Sequence, residues 1–141
     1  MKKNFKDFLV LFAVGLILFV SACGNGAVAE NQMPSVDLVD AGLFIDVDKA
    51  FQLREEGIFL LDVRTPAEWT EGHIPGAFLI PLDELPARLS ELPEDQDILI
   101  YCRSGNRSAQ ALSILQNAGF STVYSMTGGI NDWVAAGYPV E

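Results

Sequence analysis

Ile98-Leu99-Ile100-Tyr101-Cys102-Arg103-Ser104-Gly105-Asn106-Arg107-Ser108 reads as a strand that runs directly into a glycine-bearing loop and then a helix. Ile98 to Tyr101 is a continuous apolar run, as expected of a strand covered on both faces. From Ser108 to Ala118, residues Leu112, Leu115 and Ala118 fall on one helical stripe, and Gly119-Phe120 supplies a glycine stop with a hydrophobic follower. The same alternation continues upstream. Leu43-Phe44-Ile45 is a short strand; Val47, Ala50, Phe51 and Arg54 then recur at helical spacing behind Asp46 or Asp48 as N-cap, with Gly57 at the stop. Ile58-Phe59-Leu60-Leu61 is a second strand. Thr65-Pro66-Ala67-Glu68 combines a capping-box pattern with Pro at the first helical position and opens a short helix. Ala77-Phe78-Leu79-Ile80 is a third strand, and Leu82, Leu85, Leu89 and Leu92 predict a helix after it. Downstream, Thr122-Val123-Tyr124 is a fifth strand, and Ile130 to Ala136 a last helix stopped by Gly137 and Pro139.

Strands separated by helices require crossover connections, so the expected class is α/β, with a mainly parallel sheet flanked by helices on both faces. Such sheets gather their sites at the carboxyl ends of the strands. Cys102 stands at one of these ends.

The composition narrows the function. Of 141 residues, 50% are apolar and 20% charged, which fits one globular domain rather than disorder. Nine Lys and Arg against 19 Asp and Glu leave a net charge of −10, which argues against nucleic acid as a partner. Two cysteines supply neither a disulfide framework nor the ligands of a structural zinc site. No pattern points to a metal, a nucleotide or a flavin, so no cofactor is expected.

The N-terminus reads as an export signal. Lys2, Lys3 and Lys6 precede an uncharged apolar run from Phe8 to Val20, which is shorter than the ~20 residues a stable membrane span needs. Val20-Ser21-Ala22-Cys23-Gly24 resembles the lipobox of bacterial lipoproteins, with Val20 where Leu is usual, and implies lipidation at Cys23. Ala27-Val28-Ala29 offers a competing cut that would begin the mature chain at Glu30. The expected organisation is a signal peptide over residues 1–22, a lipidated N-terminus and tether over 23–37, and one domain over 38–141, exported and held at a membrane.

The loop after the fourth strand carries the chemistry. Gly105 can take positive φ, and the backbone N–H groups of such a turn, together with the start of the next helix, stabilise an anion at the Cys102 sulfur. Arg103 and Arg107 bring two of the six basic residues beyond residue 22 to this loop. Each pKa unit by which the thiol falls is worth about 1.4 kcal/mol of preference for the nucleophilic thiolate. The alternative is an inert buried cysteine that merely ends a strand.

Leu61-Asp62-Val63-Arg64, Glu68-Trp69, Gly72-His73-Ile74-Pro75-Gly76-Ala77, Tyr101 to Ser108, and Gly128-Gly129-Ile130-Asn131-Asp132-Trp133 closely resemble single-domain rhodaneses, in the same order and over about Asp46 to Val140. The resemblance implies a central five-stranded, mainly parallel sheet and sulfurtransferase chemistry. Cys102 would take the outer sulfur of thiosulfate, release sulfite, and pass the sulfur from a persulfide to cyanide or a thiol. The loop residues Arg103, Ser104, Gly105, Asn106 and Arg107 would cradle the sulfur, with the two Arg residues orienting the anionic donor. A Cys-x4-Arg loop is one residue shorter than the Cys-x5-Arg loop of phosphatases and arsenate reductases of this fold. A binding or carrier module with little turnover is the other functional class, since it needs the same cradle.

Several neighbours read as structural. His73 is expected to satisfy backbone groups in its turn. Asp62 and Arg64 lie at a strand end, where Asp62 either faces the site while Arg64 pairs with Glu68, or takes part in an ion pair that braces the loop. Trp69 and Trp133 read as core or pocket-rim aromatics.

Overall fold

The computed structural model of the protein describes residues 43–141. Its elements in chain order are β1 (Phe44–Ile45), α1 (Val47–Glu55), β2 (Phe59–Asp62), α2 (Pro66–Thr70), β3 (Phe78–Leu79), β4 (Ile98–Tyr101), α3 (Asn106–Asn117), β5 (Val123–Met126) and α4 (Gly129–Ala135). The strands lie in the order β1-β5-β4-β2-β3, and every pairing is parallel. β4 is therefore central, and Cys102 follows its carboxyl end. The expected signal segment, Cys23 and the tether lie outside the described residues.

Local chemistry sets the element boundaries. Asp46, not Asp48, caps α1, its side chain accepting the Lys49 N–H at 2.8 Å. Thr65 and Glu68 close the capping box of α2 as the sequence predicts. The leucine helix expected after β3 is instead a pair of 3-10 turns, Leu85–Ala87 and Leu89–Glu91. Pro86 is the cause, because it has no N–H to continue an α-helical ladder and its ring disfavours helical geometry at the preceding residue. Leu85 and Leu92 are buried all the same.

The core divides by strand alternation. Ile98, Ile100 and Cys102 belong to one apolar layer with Ala111, Leu112 and Leu115 of α3, while Leu99 and Tyr101 join Ala50 of α1 and Ile130 and Trp133 of α4 in the other. Helices thus cover both faces. Trp133 is fully buried, its indole N–H donates to the Pro139 carbonyl at 2.9 Å, and Phe51 and Tyr138 sit against its ring. Trp133→Ala should cost about 3–5 kcal/mol of stability. Denaturant unfolding measures this; a loss below about 1 kcal/mol would mean that the α1/α4 layer contributes little to the core.

Candidate active site

Tyr101 ends β4, and the chain then turns through Cys102, Arg103 and Ser104 to Gly105, which holds φ at +98° and caps the start of α3. The turn brings the Gly105 N–H to 3.1 Å from the Cys102 sulfur, to which it donates. The thiol in turn lies 3.8 Å from Ser108 Oγ. Ser108 donates to the Gly105 carbonyl at 2.9 Å and accepts from Ser125 Oγ at 2.9 Å, so two buried hydroxyls back the sulfur. Cys102 is only 1% exposed. Burial pushes its thiol up, but the N–H groups of Ser108, Ser104 and Gly105 and the Ser108 hydroxyl outweigh burial and hold it below the ordinary thiol value.

α4 fastens the loop from behind. The Ile130 N–H donates to the Cys102 carbonyl at 2.8 Å and the Asn131 N–H to the Arg103 carbonyl at 3.2 Å. Gly129 makes this approach possible: a Cβ there would stand 2.4 Å from the Cys102 carbonyl oxygen and 2.6 Å from the Arg103 carbonyl.

The charged residues divide into paired and open. Arg107, in the first turn of α3, grips the Glu68 carboxylate through both terminal nitrogens at 2.6 and 2.7 Å. Arg107 holds the Glu68 carboxyl at about 2, with the Thr65 N–H and hydroxyl helping against burial. Arg64 does not pair with the Glu68 carboxylate, as one reading of the sequence expected. Its own backbone N–H bonds Asp62 Oδ1 at 2.9 Å, and this tight turn folds its guanidinium back on the same carboxylate at 2.6 to 3.0 Å. The pair is 4% and 0% exposed, and Arg64 also donates to the carbonyls of Glu68 and Gly72. Asp62 is saturated by this pairing and offers no free carboxylate to the loop.

Arg103, Ser104 and Asn106 are exposed at the rim, and Arg103 makes no ion pair or side-chain hydrogen bond among the described residues. The structure therefore gathers Cys102, Gly105 and Ser108 around the sulfur, ties Arg107 to the wall and leaves Arg103 open. His73 stacks on Trp69 with ring centroids 3.6 Å apart, and its backbone bonds Glu141 in both directions. Ser125, Gly129 and the Glu68–Arg107 clamp were not read from the sequence. Ser125 is a small hydroxyl residue buried in β5 between Tyr124 and Met126, and Gly129 is the second of two consecutive glycines at a helix start; both were visible signals.

The Ser108 hydroxyl accepts from the neutral thiol and gives its own proton to the Gly105 carbonyl, and once the sulfur ionises it can turn that proton to the thiolate, so removing it takes away a group that holds the thiol down. Ser108→Ala should therefore raise the pH at which Cys102 becomes reactive. The pH profile of iodoacetamide alkylation, compared with the parent protein, measures this shift; superimposable profiles would remove Ser108 from the set of groups that stabilise the thiolate.

The model of the rhodanese-like domain matches residues 46–136. A sulfurtransferase of Allochromatium vinosum is 46% identical over 85 residues, covering 60% of this chain and 79% of that protein. The putative sulfur carrier protein YrkF of Bacillus subtilis is 40% identical over 79 residues, covering 56% of this chain and 43% of that protein, so the match spans less than half of that relative. Among solved structures, a rhodanese-related protein of Thermoplasma volcanium is similar with a TM-score of 0.65 at 33% identity, covering 69% of this chain and 95% of that one. The domain match starts at the N-cap of α1 and ends at the C-cap of α4, taking in the Cys102 loop and the helix that fastens it; the chain belongs to the rhodanese-like family of sulfur-transfer domains.

Proposed function

We propose that the protein moves sulfane sulfur from a small anionic donor such as thiosulfate to cyanide or a thiol through a persulfide on Cys102. The observation that supports this most directly is the sulfur held under the Gly105 N–H at 3.1 Å in a loop whose donors outweigh burial. The thiolate attacks the outer sulfur of thiosulfate, a bond forms between Cys102 Sγ and that sulfur, and the donor S–S bond breaks so that sulfite leaves with the electron pair. The acceptor then attacks the outer sulfur of the persulfide, and Cys102 departs as thiolate. Arg103, open at the rim, meets the anionic end of the donor, while Arg107 shapes the wall through Glu68. The six-residue Cys-x4-Arg loop suits one sulfur atom better than a tetrahedral oxyanion.

A sulfur-carrier role is the second reading, favoured by the similarity to YrkF, a putative sulfur carrier protein. Both readings share the Cys102 persulfide and differ in turnover. Sustained ping-pong turnover with thiosulfate and cyanide supports the enzyme, whereas loading of a single sulfur that only a partner removes supports the carrier. Mass spectrometry after thiosulfate treatment should show one added sulfur on the peptide that contains Cys102. Cys102→Ser should abolish both the added sulfur and transfer while leaving the unfolding transition in place; retained turnover would overturn the assignment.

We also propose export and lipid anchoring at Cys23, supported by the basic start, the apolar run and Val20-Ser21-Ala22-Cys23. The intact mass of the mature protein from its native cells should match an acylated chain beginning at Cys23. An unmodified chain beginning at Glu30 would refute the anchor.

A further inference from the structure

A cleft opens beside the sulfur loop, and its chemistry differs from that of an anion site. It measures about 300 Å³ and is lined by Val63, Arg64, Thr65, Pro81, Leu82, Asp83 and Arg107. Its walls are mostly carbon. It lies at the carboxyl ends of β2 and β3, where the Val63 N–H donates to the Tyr101 carbonyl at 3.1 Å and the Leu82 N–H to the Val63 carbonyl at 3.3 Å. Val63 and Cys102 belong to the same apolar cluster, against which Leu82 packs. Val63 follows Asp62, which pairs with Tyr101 just before Cys102, and Arg107 closes the Cys102 loop, so the cleft adjoins that loop.

The charges around it leave one carboxylate over. Arg107 is neutralised by Glu68, Arg64 by Asp62, and Asp83 stands at the mouth. An apolar hollow with both cations paired and a carboxylate at its mouth disfavours an anion and favours an occupant with a carbon chain and no net charge of its own, because a buried charge without a partner is costly. Thiosulfate and cyanide have no such chain.

We infer that this cleft seats the carbon chain of a small uncharged organic thiol, the second substrate of sulfur transfer. The inference rests on the Cys102 persulfide proposed above. The thiolate of this substrate attacks the outer persulfide sulfur, a new S–S bond forms, the bond to Cys102 Sγ breaks, and Cys102 leaves as thiolate. The step consumes no oxidant or reductant. Run in reverse, it makes the corresponding organic persulfide a donor held in the same place.

The test uses protein loaded with sulfur by thiosulfate and freed of excess donor. Single-turnover removal of the persulfide is followed with ethanethiol, 1-propanethiol, 1-butanethiol, 3-mercaptopropionate and cyanide. The alkanethiols have nearly equal sulfur basicity, so differences among them report seating. Rates relative to cyanide should rise two- to fourfold per methylene, the upper figure being that of a fully buried CH2 at about 0.8 kcal/mol. 3-Mercaptopropionate should lag behind 1-propanethiol. Leu82→Asp should flatten the chain-length series. The exposed Asp83→Lys, which leaves the core untouched, should reverse the order of 3-mercaptopropionate and 1-propanethiol. A series that is flat in the parent protein, or a slope and order unchanged in both variants, overturns the cleft assignment. Failure to load sulfur on Cys102 overturns the transfer reading instead, so the two failures are distinct.

Discussion

The site depends on two hydrogen bonds that never touch the sulfur. Cys102 and Arg103 turn their carbonyls toward the start of α4, where the N–H groups of Ile130 and Asn131 take them. In a planar trans peptide the carbonyl and the following N–H point in opposite directions. Fastening the Arg103 carbonyl to α4 thus aims the Ser104 N–H away from α4, and that N–H is among the groups that hold the thiol down. The anion cradle is the reverse side of a helix contact. Gly129 sits where the two backbones meet, and its missing side chain lets them close.

The electrostatics follow a division of labour among few cations. In an acidic chain, a free guanidinium is a scarce resource, and two of those near the loop are committed to carboxylates. The Asp62–Arg64 pair is buried and ties the end of β2 to the turn at Gly72, so it sets the shape of the wall behind the site. The Glu68–Arg107 pair joins α2 to the first turn of α3 and keeps its carboxylate charged far into acid. As pH falls, the stabilisation from that pair begins to fade below the ordinary carboxylate range and is lost as pH passes through about 2.

Much of this was legible in the sequence because it is local. The apolar runs marked β2 and β4, the Thr65–Glu68 pattern marked α2, and Gly105 after Cys102 marked the turn. The strand order was not legible: alternation implies crossovers but does not say which strand lies in the middle. The partner of Glu68 was misread for a similar reason. Arg64 stands four residues away in sequence, whereas Arg107, the residue it binds, stands 39 away and arrives only through the sheet. The leucines after β3 kept their burial but not their helix, because Pro86 vetoes the ladder while leaving the apolar spacing intact. Ser125 escaped notice because a hydroxyl inside a strand acquires meaning only when a neighbouring helix supplies Ser108.

The reliance of the loop on α4 also ties chemistry to assembly. The groups that fasten the Cys102 and Arg103 carbonyls come from α4, so they are absent from any partly formed state in which that helix is undocked. Until then Cys102 is an ordinary thiol, mostly protonated at neutral pH and slow to react. The nucleophile is therefore armed only where α4 is docked on the loop, and a state without that contact leaves it dormant.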